Sequence, residues 1–133
     1  MPQLQQKWEQ QTINRMIAEQ LNYNHISQRA FFESHYQLMN NKQRDTYERI
    51  LWLVENGTGG MFMINGHGGT GKTFLYNKVI CSKLRGDGVI VLCTASSGIA
   101  ALLLPGGCTA HSMFKIPIDL LSESVCCIVK NSL

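Results

Sequence analysis

The stretch "MFMINGHGGTGKTFLYNKVI", residues 61–80, limits the fold more than any other part of the chain. An apolar run leads into a glycine-rich patch, and that patch opens onto a helical pattern. From Gly66 to Thr73 the sequence "GHGGTGKT" fills all four fixed positions of G-x-x-x-x-G-K-[ST], the loop that cradles nucleotide phosphates. Such a loop needs a strand before it and a helix after it, because a helix start offers unpaired N–H groups and the positive end of its dipole to an anion. Gly66 and Gly71 read as positions whose backbone angles a side chain would obstruct, so that successive N–H groups can turn around phosphate. Lys72 would place its ammonium against the β- and γ-phosphates, and Thr73 would offer its hydroxyl to a magnesium ion. His67, Gly68, Gly69 and Thr70 fill the open positions, and Phe74 follows at the helix start. The alternative is a plain glycine turn before a surface lysine, which has no need of either flank.

The flanking pattern sets the fold class. Tyr47, Ile50, Leu51 and Val54 fall at helical spacing with Gly57 as a stop, which predicts a helix over about Lys42 to Glu55. "GMFMIN" predicts a strand, and Phe74, Leu75, Val79 and Leu84 in "KTFLYNKVICSKLRG" predict a helix with a buried face. After "GDG", the β-branched run "VIVLCTA" predicts a strand buried on both faces, as in a parallel sheet. Two strands joined by a helix make a right-handed βαβ crossover, so the expected class is α/β. "SSGIAALLLPGG" predicts a short helix ended by proline and glycine. Beyond Pro105 the pattern leaves a loop and a short helix open. The first third is more polar; Leu4, Trp8, Met16 and Ile17 form only a weak helical stripe, so residues 1–41 read as an N-terminal helical leader.

Composition narrows the function classes. With 133 residues, 44% hydrophobic and 16% charged, the chain is a single globular domain's worth. A net charge of +3 permits a polyanionic partner without requiring one. The runs "VIVLC" and "IAALLL" fall far short of the roughly 20 residues that span a membrane. The N-terminus lacks the pattern of a secretory signal, so a soluble, intracellular protein is expected. Five cysteines without CxxC or zinc spacing argue against a disulfide framework or metal knuckle. Cys93 reads as a small core hydrophobe; Cys126 and Cys127 receive no role.

A phosphate loop alone serves kinases, GTPases, transporters and motors. Three blocks in order, "KQRDTYERIL", "GHGGTGKTFLYN" and "CTASSGIAALLLPGGCTAHSMFKIPI", resemble the Pif-type ATP-dependent 5′-to-3′ DNA helicases, including their Helitron-like members. The resemblance covers roughly the last two thirds of the chain. It implies a RecA-like P-loop NTPase sheet, incomplete here, with residues 42–133 as part of the first motor domain. It also implies ATP and Mg²⁺ as cofactors, single-stranded DNA as partner, roles in repair, recombination and telomere maintenance, and residence in the nucleus or, alternatively, the mitochondrion. By that resemblance Gln43 stands where the family reads the adenine edge, which an amide can do by donating and accepting; otherwise it reads as a solvated glutamine at a helix start. The resemblance places Thr94, Ser96 and Ser97 beside the DNA channel, where hydroxyls and N–H groups could meet phosphates; on sequence alone the block is a helix N-cap. His111, Ser112, Phe114 and Lys115 match the next block, with Phe114 or His111 flanking a base and Lys115 touching phosphate. Unaided, Phe114 reads as core.

Hydrolysis by this class needs an acidic pair at the end of a third strand. Asp87, Asp119 and Glu123 are the carboxylates after the loop, and none follows an apolar strand. The resemblance implies that the acidic motif lies past Leu133. The expectation is therefore a helicase fragment that binds nucleotide at most, with Lys72 and Thr73 as its catalytic groups. Rival readings are another P-loop ATPase, a nucleotide kinase, which would need a basic lid, and a non-catalytic remnant.

Overall fold

A computed structural model describes residues 15, 17–119 and 121–126. It divides the chain into two compact units, one of residues 23–89 and one that takes in residues 17–22 and 90–126. The leader positions Leu4, Trp8 and Met16 lie outside the described residues, as does Cys127; residues 17–21 are helical.

In the first unit, α1 spans His25–Tyr36, and the Asn24 side chain accepts from the Ser27 N–H at 3.1 Å to cap it. Helix α2 spans Asn41–Glu55, close to the bounds predicted from its apolar spacing. Its start is a full capping box. The Asn40 side chain accepts from the Gln43 N–H at 2.9 Å, and Gln43 Oε1 accepts from the Asn40 N–H at 3.0 Å. Gly57, at φ +62°, ends the helix in the left-handed conformation that favours glycine.

After the glycine-rich loop the chain turns helical for fifteen residues in three geometries: α3 Lys72–Phe74, a π-helical segment Leu75–Ile80, and α4 Cys81–Gly86. The widened turn closes with the Cys81 N–H donating to the Tyr76 carbonyl, five residues back. Leu75 and Val79 still face inward and form the core with Met39 and Tyr47, flanked by Phe32, Tyr36, Leu51, Ile64, Phe74 and Ile80. Tyr47 meets the rings of Phe32 and Tyr36 at 5.8 and 5.7 Å between centroids. Burial, followed by the charge of Tyr36, pushes its phenol up to about 12 from 10.0. The last carbonyls of α4 find partners on α1: Arg29 Nε donates to Gly86 O at 3.0 Å, and His25 Nδ1 lies 2.9 Å from Arg85 O.

In the second unit, β1 Thr94–Ala95 pairs in parallel with β2 Cys108–Thr109, Thr94 opposite Cys108 and Ala95 opposite Thr109. The crossover carries α5 Gly98–Leu102, the helix expected from "SSGIAALLLPGG", and α6 Ala110–Phe114 follows β2. Ala101 and Cys93 are the buried residues here, Cys93 as the small hydrophobe its run suggested.

Helices with a small parallel sheet are consistent with an incomplete α/β fold, but the two predicted strands need correction. "GMFMIN" forms no ladder among the described residues, and Met61 and Met63 are 98% and 92% exposed. In "VIVLCTA" the strand is confined to Thr94 and Ala95, with Cys93 O just ahead of it accepting from the Cys108 N–H at 3.1 Å, while Val89, Ile90 and Leu92 remain exposed. The physical reason is that an apolar β-branched run specifies an extended backbone, whereas a strand exists only with a neighbour to take its N–H and C=O groups.

Candidate functional site

The glycine-rich loop and α2 meet in the first unit. At its centre is Lys72, the first residue of α3, whose ammonium donates to Gly66 O at 2.6 Å and His67 O at 2.7 Å, with Thr70 Oγ1 at 3.4 Å. Three ammonium donors thus converge on the near limb of the loop, drawing its first residues over the helix start. Thr70 Oγ1 tightens the same limb by donating to His67 O at 2.8 Å.

The glycines act for different reasons. Gly69 and Gly71 have φ of +77° and +79°, so the left-handed positions are one fixed and one open position of the motif. Gly66 does not, which corrects the expectation that it supplies an unusual backbone angle; its constraint is space. A Cβ there would stand 2.9 Å from Thr70 Oγ1 and 3.7 Å from Lys72 Nζ. Gly68 faces open space, and His67 is exposed.

No side chain caps α3, whose N-cap is Gly71. The first N–H groups of a helix have no intrahelical partner, so this end offers donors and partial positive charge. An exposed loop with left-handed glycines, a lysine and uncapped N–H groups suits a phosphate chain. Thr73 is exposed and free to offer its hydroxyl to a cation shared with such a ligand, while Phe74 turns inward against the core. Among the described residues no three His, Cys, Asp or Glu side chains gather to hold a metal by themselves. Asp87 pairs with Lys83 at 2.9 Å, and Asp119 and Glu123 are exposed.

Gln43 is at the loop as well. Its Nε2 donates to Thr70 O at 3.3 Å and Gly71 O at 3.5 Å, while its Oε1 serves the α2 capping box. The signal for the box is local: Asn40 followed three residues later by Gln43 is the capping-box signature, beside the adenine-edge position that the family resemblance gives Gln43.

The candidate nucleic-acid residues all lie in the second unit. Thr94 is in β1. Ser97 caps α5 by accepting from the Ala100 N–H at 3.2 Å, the local role its sequence suggested, and Ser96 precedes it, exposed. His111, Ser112 and Phe114 lie on α6, with Phe114 41% exposed instead of packed as core. Lys115, at φ +52°, is the one non-glycine residue in the left-handed region among the described residues, and its N–H donates to His111 O. None of the described helices is long and apolar enough to cross a membrane.

No curated protein and no solved structure matches the chain. The model of the PIF1-like helicase family matches residues 38–133, from just ahead of the α2 capping box through the loop and on through β1, α5, β2 and α6. This chain therefore belongs to the PIF1-like helicase family.

Proposed function

We propose that residues 66–73 form the ATP-phosphate site of a PIF1-like motor domain with a RecA-like P-loop fold. Helicase and ATPase activity belong to the family; the site assignment rests on one observation, the Lys72 ammonium held on the Gly66 and His67 carbonyls directly before an uncapped helix start. Incoming phosphate oxygens would replace part of that carbonyl shell, giving the ammonium a full negative charge in place of carbonyl dipoles. The N–H groups of the loop and of α3 would share the remaining oxygens, and Gln43 would lie near the adenine edge. A magnesium ion between the Thr73 hydroxyl and the nucleotide would neutralise charge on the phosphates.

In the intact family protein, hydrolysis drives 5′-to-3′ movement on single-stranded DNA, in service of repair and recombination. Thr94, Ser96 and Ser97 with His111, Ser112, Phe114 and Lys115 are the DNA-facing residues of this reading. For these 133 residues the proposal is nucleotide binding without unwinding: of the carboxylates that follow the loop, Asp87 is paired with Lys83 and Asp119 and Glu123 are exposed. The test is titration of the full chain with ATP and magnesium. Lys72→Ala removes a charge-assisted contact and should weaken binding at least about tenfold. Equal affinity in the two proteins would remove the assignment.

A further inference from the structure

We propose that Gln43 is a positioning residue for the phosphate loop, holding its backbone in the binding geometry whatever base the ligand carries; this rests on the phosphate-site reading above. The geometry is that of a clamp between two backbones. One end of the amide is fixed, since Oε1 accepts from the Asn40 N–H at 3.0 Å inside the α2 capping box. The other end reaches the loop, where Nε2 faces two successive carbonyls, Thr70 O at 3.3 Å and Gly71 O at 3.5 Å.

A trans peptide is planar, so each carbonyl points opposite to the N–H of the next residue. By drawing the Thr70 and Gly71 carbonyls toward α2, Gln43 turns the N–H groups of Gly71 and Lys72 away from it. Those are the donors that open α3, and Gly71 O also accepts from the Leu75 N–H at 3.0 Å, which ties the same peptide to the first helical turn. Contact is close as well as polar. A Cβ built on Gly71 would overlap the Gln43 amide nitrogen, so this glycine is the surface on which the amide rests. Both bonds are long for N–H···O, which predicts a modest effect.

Calorimetric titration of the full chain with inorganic tripolyphosphate, and separately with ATP, both with magnesium, tests this. Tripolyphosphate has no base to read. Gln43→Ala should weaken both ligands by the same roughly three- to tenfold factor. Asn40→Ala, which uncaps α2 but leaves Gln43 on the loop, should lower the melting temperature and leave tripolyphosphate affinity unchanged. Loss confined to ATP in Gln43→Ala would overturn the proposal in favour of base reading. If Gln43→Ala does not fold, Gln43→Glu keeps the acceptor for Asn40 and removes the donor. Its Gly71 and Lys72 amide resonances should then shift while those of residues 44–55 stay in place, and unmoved loop resonances would overturn the proposal. Failure of the phosphate site itself is a separate result: Lys72→Ala would bind tripolyphosphate as well as the parent chain does.

Discussion

Gly71→Ala puts the loop geometry to its most direct test. Two costs add. At φ +79° an L side chain sits against the following carbonyl, worth about 1–2 kcal/mol. The added methyl also overlaps Gln43 Nε2, and displacing that amide forfeits its bonds to Thr70 O and Gly71 O, worth about 0.5–1.5 kcal/mol net. The sum, about 1.5–3.5 kcal/mol, corresponds to a loss of roughly ten- to three-hundredfold in tripolyphosphate or ATP affinity if the loop must hold this geometry to bind. Asparagine tolerates the left-handed region, so Gly71→Asn avoids part of the backbone cost but not the overlap. Combining Gly71→Ala with Gln43→Ala relieves the overlap and leaves the backbone strain, so the double variant should stay well below the parent. Calorimetric titration of the three variants gives the comparison. Parent-like affinity in Gly71→Ala would refute the reasoning, since it would mean that the loop binds in another conformation.

Gly66→Ala should weaken binding for a different reason, contact with Thr70 Oγ1 at 2.9 Å without backbone strain, so Thr70→Ala should restore much of the loss in a double-mutant cycle; an additive cycle would count against that contact. Tyr47 makes a stability prediction. Its folded-state value of about 12 lies above the unfolded 10.0, so its contribution is intact below pH 10 and is lost as pH rises toward 12. Urea melts of the parent chain and Tyr47→Phe at pH 9 and pH 12 should therefore show a steeper loss in the parent, and equal slopes would contradict the burial argument.

Local chemistry made part of this fold legible. Helix α2 was readable because Tyr47, Ile50, Leu51 and Val54 recur on one face and Gly57 stops the chain; α5 was readable because a proline and two glycines follow it. The phosphate loop was readable as a motif, and its spacing brings Gly66 and Lys72 into contact. Features set by distant partners were not readable. Whether Met61–Met63 or Val89–Leu92 join a ladder depends on a neighbour far away in sequence, and the apolar runs were equally compatible with the exposed segments observed. Gln43 shows a subtler limit: its position suggested a ligand contact and its spacing from Asn40 carried the local capping box, while its bonds to the loop carbonyls depend on a fold that brings Thr70 and Gly71 to it from more than 25 residues away.

The π-helical segment Leu75–Ile80 bears on how this helix could vary. A π-turn holds more residues than an α-turn spanning the same rise, so the chain between the phosphate loop and α4 contains slack that an unbroken α-helix would lack. Removing one residue within 75–80 could be absorbed by winding the segment into α-geometry, with α4 and its carbonyl contacts to Arg29 and His25 left in place. The same deletion within α3 would rotate Lys72 away from Gly66 and His67. Length variation should therefore be tolerated on one side of Phe74 and excluded on the other, an asymmetry that helical periodicity alone would not reveal.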